Sequence, residues 1–289
     1  MRLEIMKKIS NQLYEGERSL FCSDGVQLEN CTFGEGESPL KESRNVALTD
    51  CVFEWKYPLW YGENVTVKNC RLGANARAGV WYTKNASFTD CRIDAPKTFR
   101  KSSKLSMENV VFTAAEETLW SCNDVRIKNV TASQGDYFAM NSRSLEVENL
   151  TLYGNYSFDG AKDVVIRSST LISKDAFWNS ENVTVYDSVI EGEYLGWNAK
   201  NLTLIGCTVR SHQGMCYIDN LVMRDCKIEK TDLAFEYSSV DVVASGRVES
   251  VLNPRSGRIE LEDAGEIILE KDKTDVTKTR ILVGGKAVN

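Results

Sequence analysis

No stretch of this 289-residue chain approaches the roughly 20 consecutive apolar residues of a membrane-spanning helix. The opening MRLEIMKKISNQLYEGERSL lacks the apolar core of a secretory signal, so a cytoplasmic location is expected. Runs of Lys and Arg are also missing. With a net charge of −6 there is no basic footprint for phosphate, which argues against nucleic acid as the main partner, and without a spanning segment no membrane partner is expected. Histidine occurs once, as His212 in SHQG, with no acid or nucleophile beside it in sequence, the pattern of an ordinary loop residue. The nine cysteines lack zinc-site spacing, and no metal or cofactor is expected.

What the chain has is one phrase, repeated. The order apolar, any, apolar, any, Asn or Asp, small, any, apolar recurs from VQLENCTF and VTVKNCRL to VTVYDSVI and LVMRDCKI. Its small position falls at 31, 51, 70, 91, 110, 130, 150, 169, 188, 207 and 226, a period of 19 to 21 residues. A repeat that short cannot close a core alone, so it stacks on its neighbours as a solenoid. Each half of the phrase alternates with period two, giving two short strands with one buried face. Six residues before each phrase stands a further, mostly apolar column (Leu59, Val80, Phe99, Leu119, Phe158, Phe177), which predicts a third strand. The expected fold is all-β: a right-handed parallel β-helix of about twelve coils, at ~4.8 Å per coil. Residues 1–245 form the helix with its N-terminal cap. Residues 246–289 form a C-terminal cap or tail on the same domain.

Most columns of the repeat are scaffold. Asn30, Asp50, Asn69, Asp90, Asn109, Asn129, Asn149, Asp187 and Asp225 sit between the two strands, where Asn and Asp tolerate the left-handed turn and can bond along the stack. Cys31, Cys51, Cys70, Cys91, Cys207 and Cys226 share the small position and read as buried, reduced thiols. Asn-X-Ser/Thr triplets such as Asn64, Asn182 and Asn201 look like glycosylation sites but are the starts of strands.

Three strands per coil, the Asn-bearing turn and the small-residue stack resemble the pectin-lyase-like β-helix superfamily over residues 20–245. More narrowly, LYEGERSLF followed by the NCTF, DCVF and NCRL series is similar to a bacterial family, domain of unknown function 3737. The family brings no activity with it. The superfamily resemblance implies a substrate groove on the outer face of the third strand.

That face is the unusual one. Its outward column reads Lys41, Trp60, Trp81, Arg100, Trp120, Met140, Asp159, Trp178, Trp197, Cys216 and Phe235, with five of the six tryptophans. Small residues (Pro58, Gly79, Thr118, Ala176) are expected to flank it outward as a trough, rimmed by Tyr57, Glu117, Tyr137, Tyr156, Asp175 and Tyr194. Indoles stack on sugar C–H faces, so the expected ligand is an oligosaccharide or sugar-containing small molecule. The expected contacts are Trp60, Trp81, Arg100, Trp120, Asn141, Tyr156, Trp178, Asn179, Trp197 and Asn198. Two other readings stay open: the row as a homo-oligomer interface, or as a patch covered by residues 245–289. Whether the protein is an enzyme is also open. A glycoside hydrolase or polysaccharide lyase would draw on Asp159 with Asp175 or Glu193. Arg100 lies three coils from Asp159, about 14 Å, too far to act on the same bond.

Overall fold

A computed structural model describes residues 6–289, which group into two compact units, Met1–Leu145 and Glu146–Asn289. Both are built from parallel coils, about 15 in all rather than twelve, and the only helix among the described residues is the single turn Val276–Lys278.

In Met1–Leu145 the first strand of each coil runs through Asp24–Glu29, Arg44–Thr49, Glu63–Lys68 and Lys84–Thr89, parallel and in register, so that Val26, Val46, Val65 and Ala86 stack. The second strands are only two residues long (Thr32–Phe33, Val52–Phe53, Arg71–Leu72) and pair the same way. Identical register makes like stack on like. Phe33 and Phe53 lie face to face at 4.5 Å, and the six cysteines of the small column are buried. All nine thiols are free, and those of Cys51, Cys70 and Cys91 donate to backbone carbonyls.

In Glu146–Asn289 the stack runs through Lys162–Arg167, Glu181–Tyr186, Lys200–Ile205 and Asp219–Thr231. It continues past residue 245: Ser239–Leu252, Ser256–Ile268 and Thr279–Val283 pair in parallel, which accounts for the added coils. Residues 256–268 and 279–283 are thus part of the stack, not a flap over the tryptophan row. Lys286–Ala287 then turns back antiparallel.

The asparagine turn forms as expected. Asn30, Asp50, Asn69 and Asp90 have φ of 51–56°, and Asn109 donates to Asp90 at 2.9 Å while Asn129 donates to Asn109 at 3.1 Å. A second ladder stands at the start of the first strand: Asn85 to Asn64 to Asn45 to Asp24, and Asn220 to Asn201 to Asn182 to Asp163. The residues that mimic glycosylation sites are therefore a structural corner, again at positive φ.

The third side departs from expectation. It is extended only at Val80–Trp81 and Phe99–Arg100, which pair in parallel. From Glu117 onward the chain on this side turns left-handed at every second residue, as at Glu117, Leu119 and Ser121 (φ 49°, 59° and 55°) or Asp175, Phe177 and Asn179 (57°, 62° and 52°). Because this backbone is not a β-strand, side chains do not simply alternate. Thr118 and Leu119 are both fully buried, as are Ala176 and Phe177. The small flanking column therefore points inward, and there is no trough of small residues beside the tryptophans. Buried hydroxyls close this side instead: Ser102 accepts from the Thr83 amide at 3.0 Å and Ser142 from the Cys122 amide at 2.7 Å.

Candidate functional site

The outward row is present in both units, built in two different ways. In Met1–Leu145, in-register coils bring Trp60 and Trp81 face to face at 5.3 Å and 8°. The Arg100 guanidinium continues the pile, 4.6 Å from the Trp81 ring and 4.4 Å from that of Trp120. Planar cations stack well on indoles, and here both guanidinium faces are used. Its Nη2 donates to Glu117 at 2.7 Å, and Lys97 also reaches Glu117, at 3.1 Å. The indole N–H groups of Trp60 and Trp81 donate to the carbonyls of Ala78 and Lys97. Beside this pile runs a second: Tyr61 and Tyr82 stack at 4.8 Å, with Lys41 and Lys101 near their rings. Most ring faces here are taken by neighbouring side chains, and what reaches solvent is largely edges.

In Glu146–Asn289 the rings are tilted. Trp178 and Trp197 meet at 6.1 Å and 35°, Trp197 and Tyr217 at 4.4 Å and 32°, Tyr217 and Tyr237 at 5.4 Å and 54°. Trp178 donates to the Tyr194 carbonyl at 2.9 Å and takes Tyr156 edge-on. One coil before Trp178, the row holds Asp159, followed by Gly160, so no ring of this row stacks on that side of the indole. An amide comb runs alongside: Asn198 donates to Asn179 at 2.9 Å, and Asn179 to Asp159 at 3.0 Å.

The three carboxylates singled out by sequence, Asp159, Asp175 and Glu193, lie on successive coils. Asp175 is only 1% exposed, and its Oδ1 has no hydrogen-bond partner. Burial pushes its carboxyl above the usual range; the charges of Glu193 and Asp159 add to this, against Lys174 and a hydrogen bond from Tyr156. Glu193 is exposed and pairs with Lys174 at 3.2 Å. Of the expected sugar contacts, Tyr156, Trp178, Asn179, Trp197 and Asn198 share this unit with the carboxylates. Trp60, Trp81, Arg100, Trp120 and the exposed Asn141 belong to Met1–Leu145.

Three expectations need correction. His212 ends the strand Thr208–His212 and has an acid partner from the next coil, Asp232, at 2.8 Å. Cys216 and Phe235 are fully buried instead of outward. The register explains Phe235: its amide bonds to the Gly214 carbonyl as that of Met215 does to Leu195, so Phe235 takes the inward place. A tyrosine column one residue past the row (Tyr61, Tyr82, Tyr217) is reached by the same counting along the sequence; Tyr237, two residues past Phe235, joins it through the register shift at Phe235.

This is a parallel β-helix. The chain belongs to the family described as Protein of unknown function (DUF3737), whose model matches residues 7–282. No curated protein matches it. Among solved structures it is similar to a mutant tailspike protein of E. coli bacteriophage HK620 in complex with a hexasaccharide, with TM-score 0.51 and 10% identity over 95% of this chain and 73% of that one. It is also similar to the A-module of an Azotobacter vinelandii mannuronan C-5 epimerase, with TM-score 0.34 and 12% identity over 91% of this chain and 87% of that one. A third is a surface adhesin of Streptococcus pneumoniae, with TM-score 0.39 and 9% identity over 96% of this chain and 83% of that one. At 10% identity the likeness to the tailspike protein is one of fold.

Proposed function

We propose that the protein binds a carbohydrate on the tilted aromatic face of Glu146–Asn289, around Trp178 and Trp197. The observation that supports this reading most is that Trp178, Trp197 and Tyr217 are tilted against one another instead of closed into a flat pile, while an amide and carboxylate comb (Asn198, Asn179, Asp159) runs beside them. An apolar ring face next to paired acceptors and donors suits the C–H face and the hydroxyls of a sugar. A tailspike protein of the same architecture is solved with a hexasaccharide, so the fold is compatible with such a ligand. The proposal is of binding alone. Glu193 is held by Lys174 and Asp159 by Asn179, so these carboxylates are engaged within the chain.

The test is titration of the protein with a broad panel of soluble oligosaccharides, read by tryptophan fluorescence and calorimetry. At least one glycan should bind, and Trp178→Ala with Trp197→Ala should abolish the signal while circular dichroism stays unchanged. Silence across the panel would reject the reading.

A second reading, assembly through the aromatic row, is favoured by one observation in Met1–Leu145: Tyr61 is 48% exposed at the edge of a pile whose faces are closed. Edges without free faces suit a protein surface better than a sugar. Light scattering decides it, since a monomeric protein at high concentration removes this reading.

A further inference from the structure

The nine free thiols are not equivalent. Thiol-to-thiol hydrogen bonds link Cys31, Cys51 and Cys70 in one column, and Cys207 with Cys226 in another. Members of a column hold the same place in neighbouring parallel strands, since Val52 pairs with Arg71 and Thr208 with Lys227. Such strands lie about 4.8 Å apart, within the roughly 4.4–6.8 Å between Cα atoms that a disulfide spans. The first column is closed. Its thiols and that of Cys91 beyond them are buried, and Asn69 donates to Asp50 in the turn alongside. The second sits where the stack loosens. Gly206, at φ 65°, stands between Asp187 and Asp225 in the turn column and leaves that ladder without a rung just before Cys207. The pairing of Asp219–Thr231 with Ser239–Leu252 then shifts register between Met223 and Cys226. Beyond this irregularity Ala244 takes the column's next place, and a groove of about 680 Å³ opens, lined by Cys226, Ala244, Leu261, Glu262 and Gly284. The hydrogen bond from Cys207 pulls the Cys226 thiol below its usual value, against the effect of burial, and holds Cys207 above.

We propose that Cys207 and Cys226 are a peroxide-responsive pair that closes into a disulfide between successive coils. Cys226, bordering the groove, is the attacking sulfur and Cys207 the resolving one. The Cys226 thiolate attacks one oxygen of hydrogen peroxide and the O–O bond breaks. Hydroxide leaves, takes up a proton as water, and Cys226 becomes a sulfenic acid. The Cys207 sulfur then attacks the sulfenic sulfur and the S–O bond breaks; the departing hydroxide takes the Cys207 proton and leaves as water. Two thiols are oxidised to one disulfide, and one peroxide is reduced to two waters. Because Cys226 is only 1% exposed, the oxidant must be as small as peroxide, and a bulky thiol reagent is shut out.

The test treats the folded, full-length chain with hydrogen peroxide, in a Cys22→Ser background that removes the one exposed thiol. Intact mass should show the loss of two hydrogen atoms, peptide mapping should place a cross-link between Cys207 and Cys226, and dithiothreitol should restore the starting mass. Serine already fills the same column at Ser169 and Ser188, so Cys207→Ser and Cys226→Ser fit the fold, which circular dichroism checks. Each should abolish the cross-link, whereas Cys51→Ser with Cys70→Ser should leave it unchanged. In Cys207→Ser, dimedone added with the peroxide should label Cys226 as the trapped sulfenic acid; in Cys226→Ser it should not label Cys207. A chain that keeps both thiols reduced under peroxide overturns the proposal, as does a cross-link that maps to Cys51 and Cys70 or forms only after denaturation. Dimedone on Cys207 in the Cys226→Ser chain overturns the assignment of the attacking sulfur.

Discussion

Glu117 and Asp175 occupy the same step of the coil and have opposite fates. Glu117 is neutralised by Arg100 and Lys97 inside a closed pile of rings. Asp175 is more deeply buried and lacks a donor on one oxygen, beside rings that splay. The difference shows that equal positions in a repeat carry different electrostatics when the residue one coil earlier changes from Arg100 to Asp159. In the first unit a stacked cation joins the rings and neutralises the acid; in the second a tyrosine, Tyr156, meets Trp178 edge-on and gives Asp175 a hydrogen bond but no charge.

The largest expected effect comes from erasing the difference in the opposite sense. Arg100→Asp places two carboxylates under Trp120 and should destabilise the protein by about 3–5 kcal/mol, measured by urea unfolding. A loss under about 1 kcal/mol would mean that the pile does not depend on its cation. Next, Trp60→Ala should cost about 2 kcal/mol while leaving any glycan titration unchanged, because that ring's work is packing. If it abolishes glycan binding, the assignment of the two halves is wrong.

At the corner ladder, Asn182 has a φ of 57° and bonds to both neighbouring coils. Asn182→Ala should lose about 1–2 kcal/mol and Asn182→Gly clearly less, since glycine accepts the left-handed turn. Equal losses would assign the whole effect to the hydrogen bonds.

The smallest effect concerns Asp175 and pH. A carboxyl whose folded pKa is raised binds its proton more tightly in the folded state. Its contribution to stability is therefore fully present below the unfolded pKa and is lost as pH rises through the folded value. Asp175→Asn should stabilise the protein at neutral pH, by about 1 kcal/mol as the uncompensated charge is removed, and the gain should vanish in acid. A gain that is constant with pH would show that charge is not the cause.

Much of this was legible in the chain. The period placed the stacked strands, the asparagine turn and the buried cysteines, because in-register stacking converts sequence spacing directly into neighbours along the axis. It also placed Trp60, Trp81, Arg100 and Trp120 in one column. The third side was less legible. A 2-residue alternation was read into Thr118–Trp120 and Ala176–Trp178, whereas left-handed turns send two successive residues inward. The coil count fell short because the 19- to 21-residue spacing breaks after Cys226, where strands pair through register shifts, although pairing continues to Thr279–Val283.

The sequence by itself determined the solenoid and which residues share a column, since both follow from periodicity and burial of apolar faces. Only the tertiary structure decided how neighbours within a column meet. Rings stack flat in Trp60 and Trp81 and tilt in Trp178 and Trp197; one acid finds a cation and another does not. Those outcomes depend on backbone angles and distances of a few ångströms between coils, which spacing along the chain does not contain.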